Sequence, residues 1–189
     1  MKLIYRLALV FCVMLPLAEA TADTQLPGNE LSPSPSQPAS PDQWMLRTLD
    51  GPDISFSQFK GKVIFLHFWA TWCGPCVTEM PTVEKMYQKV KGDEDIAVLV
   101  VANQNPNDIR SFIAQPQFNF PKFTCGMPPA LFMWNSLPAT FVIDPDGKVV
   151  KTYLDPYPYD QDDFIRYLLS LKRGGLRQKW DGFIKKMTE

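Results

Sequence analysis

This chain of 189 residues contains one histidine and four cysteines. The single histidine, His67, cannot supply the Cys/His pair that would complete a four-ligand zinc site around two close cysteines. Neither sign of charge is in excess: 19 Lys and Arg stand against 20 Asp and Glu, a formal net charge of −1. Nucleic-acid binders normally carry a basic excess, so that class of partner is not expected. The longest terminal apolar run, Leu7 to Leu17, falls short of the ~20 residues a spanning helix needs. No internal repeat is visible.

What is present suits one globular domain. Hydrophobic residues make up 46% and charged residues 21%, enough for a proper core. Lys2 and Arg6, the short apolar run and Ala18-Glu19-Ala20 read as a secretory signal over residues 1–20, with an uncleaved anchor as the alternative. Residues 21–42 hold Pro33, Pro35, Pro38 and Pro41 among Ser, Gln and Ala, and read as a linker without a core. Export places the chain in an oxidising compartment, the periplasm in a bacterium. Without the signal, Cys73, Cys76 and Cys125 remain. Cys125, the odd one, reads as a small buried hydrophobe, a third redox thiol or a site for intermolecular pairing.

Residues 43–173 show an alternating order of elements. Trp44 to Leu49 predicts a strand, and Ser55 to Phe59 a helical turn. Val63 to Trp69 and Ile96 to Ala102 are continuous apolar runs of strand length, expected to be buried. Pro75 to Lys91 predicts a helix that Pro81 should kink. Asn105-Pro106 is an N-cap followed by a first-turn proline, and starts a helix to about Gln115. Phe120 to Thr124 predicts a short strand, and Pro129 to Trp134 a helical turn. Thr140–Ile143 and Lys148–Tyr153 flank Asp144-Pro145-Asp146-Gly147, which has the turn chemistry of a hairpin. Asp160 to Lys172 predicts a last helix, acidic at its start and basic at its end. The whole is an α/β fold, with a mixed central sheet flanked by helices. Residues 174–189 place Leu176, Trp180, Phe183, Ile184 and Met187 at helical spacing among lysines. This amphipathic C-terminal helix can lie on a membrane surface or pack on its own domain.

Trp72-Cys73-Gly74-Pro75-Cys76 carries the chemistry. Two cysteines two residues apart fit a redox pair, a permanent disulfide or half a zinc site. Cys73 falls where a buried strand turns into a helix, and free N–H groups and the helix dipole there favour a thiolate. With that strand, that helix and Thr78-Glu79-Met80-Pro81, the motif resembles the thioredoxin superfamily, in its TlpA/ResA-like branch of exported thiol-disulfide oxidoreductases. The resemblance covers about Gln43 to Lys172. Residues 105–138 look like the extra helix and strand of TlpA-type domains.

The resemblance implies that Cys73 attacks or is attacked, that a mixed disulfide forms, and that a shielded Cys76 resolves it. It implies a cis peptide bond before Pro138, in a loop facing the cysteines, and an exposed Trp72 on the rim that receives partners. Gly74 and Pro75 match reducing members of the superfamily. No cofactor beyond the redox-active disulfide is implied. The implied partners are protein thiols and disulfides and a membrane-bound electron donor, with clients in cytochrome c maturation or metal-site assembly. A disulfide-forming oxidase or isomerase, a binding or assembly module, and Cu(I) held by the cysteine pair are the alternatives.

Two residues near the pair stay open. His67 stands six residues before Cys73, where thioredoxins carry Asp and TlpA-like proteins often Asn. It reads as a core histidine satisfied by a backbone group, as a neutral proton acceptor for Cys76, or as a cation that stabilises a thiolate and makes the disulfide more oxidising. Alternation along the strand puts Phe65, His67 and Trp69 on one face. Glu79 reads either as a solvated helix residue or as a group that tunes the cysteines' acidity.

Overall fold

The computed structural model describes residues 37–113 and 118–172. The residues read from sequence as a signal, most of those read as a linker and those read as a C-terminal helix lie outside the described residues. Residues 37–42, read from sequence as the linker's end, belong to the folded body. Gln37 donates to the Pro128 carbonyl, Pro41–Gln43 forms a 3-10 turn, and Asp42 pairs with Lys60.

Among the described residues seven strands form one sheet. They are β1 (Met45–Thr48), β2 (Ile54–Ser55), β3 (Val63–Trp69), β4 (Ile96–Ala102), β5 (Lys122–Thr124), β6 (Ala139–Ile143) and β7 (Val149–Tyr153), in the spatial order β2-β1-β5-β4-β3-β6-β7. The pairs β3–β4 and β4–β5 are parallel, and the others antiparallel. Every residue of β3 and β4 is buried, as their unbroken apolar runs require of central strands. The short β2 is an addition to what the sequence signals. Its two residues are too few to carry a period.

Helix α1 (Gly74–Val90) follows β3, α2 (Pro106–Phe112) follows β4, and α3 (Asp162–Ser170) closes the described chain. Asn105 caps α2 by accepting from the Asn107 N–H. The hairpin between β6 and β7 turns where expected. Asp144 Oδ1 accepts from the N–H groups of Asp146 and Lys148, and Gly147 takes φ +83°, a conformation that favours glycine. Helix α3 is shorter than predicted and has no basic residue in its last turn. Lys172 lies beyond it and pairs with Asp93 and Asp95 instead.

Alternation along the strands makes two cores. One face carries Phe65, Trp69, Val98, Val100 and Val142 against Cys76, Met80 and Val83 of α1, Ile109 of α2 and Phe164 and Leu168 of α3. The other carries Ile64, Leu66, Phe68, Leu99 and Phe141 beneath Trp44, Phe56 and Phe132. The rings of Trp44, Phe56 and Phe132 lie 5.4–5.8 Å apart, within the range of favourable aromatic contact.

Candidate active site

β3 delivers the chain to the cysteines, and the loop between them is tied down. Thr71 N–H donates to Gln104 Oε1 at 2.7 Å, and Gln104 Nε2 returns a bond to Thr71 Oγ1 at 3.0 Å. The Gln104 carbonyl accepts from the Thr124 hydroxyl on β5. Cys73 N–H donates to the Ala70 carbonyl at 3.1 Å. The start of α1 therefore sits at a fixed place above the sheet.

Cys73 is the N-cap of α1, and its Sγ accepts from the Cys76 N–H at 3.2 Å. A sulfur here takes the place of the usual capping oxygen, and negative charge on it would face free N–H groups and the helix dipole. Cys73 and Cys76 are joined as a disulfide, with Cα atoms 5.3 Å apart. Cys73 is the more exposed of the two, at 5% against 0%. Pro75 sits in the first turn, where a missing N–H costs nothing. A side chain at Gly74 would meet no atom within 4 Å, so packing does not demand glycine there.

The Leu137–Pro138 peptide bond is cis, immediately before β6. A groove of about 300 Å³ is lined by Trp69 and Trp72 on the cysteine side and by Trp134, Asn135, Ser136 and Leu137 on the other. Trp72 is 74% exposed, whereas Trp69 is buried. Trp134 stacks on Phe68 with ring centroids 4.0 Å apart, which fixes one wall of the groove to the second core.

The Redoxin family profile matches residues 27–166. The chain belongs to the Redoxin family. It is 33% identical over 117 residues to thiol-disulfide oxidoreductase ResA of Bacillus thuringiensis, covering 57% of this chain and 64% of that protein. The chain thus spans just under two thirds of that relative's length. It is 30% identical over 130 residues to sporulation thiol-disulfide oxidoreductase A of Bacillus subtilis, covering 66% of this chain and 78% of that protein. Among solved structures, the exposed lipoprotein thioredoxin Etrx1 of Streptococcus pneumoniae superposes with a TM-score of 0.55 at 26% identity, over 68% of this chain and 98% of that one. The fold is thioredoxin-like, of the TlpA/ResA type.

Beneath the disulfide of this redoxin, burial separates the two readings of Glu79. Glu79 is not a solvated helix residue; it is 4% exposed. It lies one turn beyond Cys76 on the buried face of α1. Burial pushes its carboxyl up to about 7, partly opposed by the Tyr157 N–H, which donates to Oε2 at 3.0 Å. His67 is fully buried, and burial pushes its imidazole down to about 3. It is not satisfied by a backbone group: Nδ1 lies 2.8 Å from Thr140 Oγ1, its register partner on β6. Its Nε2 faces Glu79 Oε1 at 3.6 Å, beyond hydrogen-bond range.

Sequence reasoning missed Thr140, Tyr157 and Tyr159. Tyr159 is fully buried and donates its hydroxyl to Thr140 Oγ1 at 2.7 Å. The β3–β6 register would have found Thr140, but Tyr157 and Tyr159 carry no sequence signal. Cys125 is a buried free thiol on the second core, pushed up to about 12 by burial. Among the described residues no cluster of three His, Cys, Asp or Glu side chains is placed to hold a metal ion.

Proposed function

We propose that this chain is an exported thiol-disulfide oxidoreductase that reduces particular protein disulfides. The observation that carries the reading is the Cys73–Cys76 disulfide at the start of α1, with Cys73 Sγ in the capping position and the more exposed of the two. The names of the relatives support the same chemistry.

In the reducing direction the Cys73 thiolate attacks one sulfur of a client disulfide. An S–S bond forms between Cys73 and the client, and the client's other sulfur leaves as a thiolate. Cys76 loses its proton to Glu79, and its thiolate attacks Cys73 Sγ. The second client sulfur then leaves. The enzyme dithiol is oxidised and the client disulfide reduced; one client thiolate takes the Cys76 proton back from Glu79, and the other takes from solvent the proton that Cys73 released on forming its thiolate. A membrane-bound electron donor must then return two electrons to the Cys73–Cys76 bond. The disulfide itself is the redox group, so the cycle uses no dissociable cofactor. Trp72 and the Trp134–Leu137 wall receive an extended client segment, with the backbone before Pro138 free to pair with it as an added strand. Gly74-Pro75 between the cysteines favours the reducing direction. The N-terminal signal supports export, to the periplasm in a bacterium.

The test is the reduction potential of the Cys73–Cys76 couple, measured by equilibration against thiol buffers. We expect a value near the ~−270 mV of thioredoxin. A value near ~−120 mV would overturn the reducing direction and indicate an oxidase. A pair that never exchanges would leave a binding module.

A further inference from the structure

Four side chains from four segments meet beneath α1: Tyr159, Thr140, His67 and Glu79. Tyr159 donates to Thr140 Oγ1, so the threonine hydroxyl has its own proton left to give. Its remaining partner is His67 Nδ1 at 2.8 Å. The nitrogen that accepts this proton cannot carry one. With the threonine proton directed at Nδ1, the imidazole proton sits on Nε2, the atom turned toward Glu79 Oε1. Nε2 and Oε1 are both buried and without a hydrogen bond, one donor facing one acceptor.

We propose that Tyr159 and Thr140 are positioning residues that lock His67 in its Nε2–H tautomer, so that His67 serves as a neutral donor to Glu79 and not as a proton acceptor for Cys76. Both ring nitrogens are committed: Nδ1 receives the Thr140 hydroxyl and Nε2 carries a hydrogen. A second proton on Nδ1 would turn the threonine hydroxyl into an acceptor and leave its own hydrogen without its present partner, which disfavours imidazolium. The mobile proton of the pair then belongs to Glu79. When Glu79 ionises, the 3.6 Å contact can close into a charge-assisted bond, complementing the Tyr157 N–H on the other carboxylate oxygen. This rests on Glu79 exchanging a proton with Cys76, as proposed above.

The surroundings agree. Phe65 stacks on His67, and Tyr159 meets His67 edge-on. Of the titratable groups around the pair, Tyr157 donates its N–H to Glu79 and Tyr159 lies against His67, while Tyr153 of β7 meets the Tyr159 ring and Cys76 of α1 shares the same core. Helix α3 contributes the apolar Phe164. Among the described residues no lysine or arginine pairs with His67 or Glu79. Burial holds the Tyr159 hydroxyl well above its ordinary range, so it remains a donor at every working pH.

Because His67 is the chain's only histidine, its ring nitrogens can be read without ambiguity. The full chain, labelled with 15N-histidine, should show a neutral imidazole protonated at Nε2 from about pH 5 to 8, in both oxidised and reduced forms. An Nδ1–H tautomer, or imidazolium at pH 6, would overturn the proposal. Thr140→Val should give a mixture of tautomers and raise the Glu79 midpoint, read from its 13C carboxyl signal, by about one pH unit. Thr140→Ser should restore both, and Tyr159→Phe should give an intermediate tautomer mixture. Folded Thr140→Val with an unchanged tautomer and midpoint would sink the idea. The tautomer is read without any thiol exchange, so failure of the redox reading would show separately, as an inert Cys73–Cys76 pair.

Discussion

At the scale of single residues, the His67–Glu79 pair makes an unusual demand on pH dependence. Glu79 is raised from 4.5 to about 7, so its contribution to stability is full below pH 4.5 and lost as pH rises toward 7. His67 is lowered from 6.5 to about 3, so its contribution is full above pH 6.5 and lost as pH falls toward 3. Each effect amounts to a few kcal/mol, since every pH unit between the folded and unfolded midpoints corresponds to about 1.4 kcal/mol. Between pH 4.5 and 6.5 the folded pair holds one proton, on Glu79, and the unfolded pair also holds one, on the histidine. Equal proton counts mean no slope. Wild-type stability should therefore be flat in that window as far as this pair is concerned. His67→Asn leaves only Glu79, and stability should fall as pH rises from 4.5 to 7. Glu79→Gln leaves only His67, and stability should rise from about pH 3 to 6.5. Denaturant midpoints collected across pH for the three proteins check this. Parallel profiles would mean that neither group titrates as its burial demands.

At the scale of elements, α1 is held by contacts that the local sequence could not announce. Glu84 on its inner side accepts from the N–H groups of Asn119 and Phe120 at 2.7 and 3.1 Å, from Asn119 Nδ2 at 3.0 Å and from Gln88 Nε2 at 2.6 Å. Burial pushes this carboxyl upward, but the four donors outweigh it and hold it below its ordinary value. The carboxylate therefore clamps the lead into β5 against α1. Glu84→Ala would leave two backbone N–H groups without an acceptor and should cost about 2–4 kcal/mol. The check is a lower denaturant midpoint at an unchanged m-value. A loss under ~0.5 kcal/mol would mean that water replaces the carboxylate freely. The periodic and capped elements were legible in the sequence: β3 and β4 from their apolar runs, α2 from Asn105-Pro106, the hairpin from Asp144 to Gly147. So was the place of Cys73, because a strand and a helix meet there. Glu79 was not. Its burial depends on Tyr157 arriving 78 residues later, and no local pattern encodes that meeting. Thr140 was missed for the same reason, since its role follows from pairing with His67 across β3 and β6.

At the scale of the whole molecule, the sheet divides stability from chemistry. The disulfide, Glu79, His67 and Tyr159 all belong to the side covered by α1 and α3, whereas Trp44, Phe56, Phe132 and Phe141 fill the other. Phe132 contacts the Trp44, Phe56 and Phe141 rings. Phe164 contacts Phe65, Tyr157 and Tyr159. Each is fully buried, so truncation of either to Ala should cost about 3–5 kcal/mol. Their effects on the site should differ. Phe132→Ala opens space on the far side of β3 and β6, and should leave the Cys73–Cys76 potential and the Glu79 midpoint where they are. Phe164→Ala removes the ring that backs Tyr159, and should loosen the Tyr159–Thr140 bond and raise the Glu79 midpoint toward that of Thr140→Val. Measuring stability and the Glu79 carboxyl signal on both variants separates the two effects. Equal midpoint shifts would mean that the sheet transmits packing changes between its faces, and that the division holds for side chains but not for the chemistry they support.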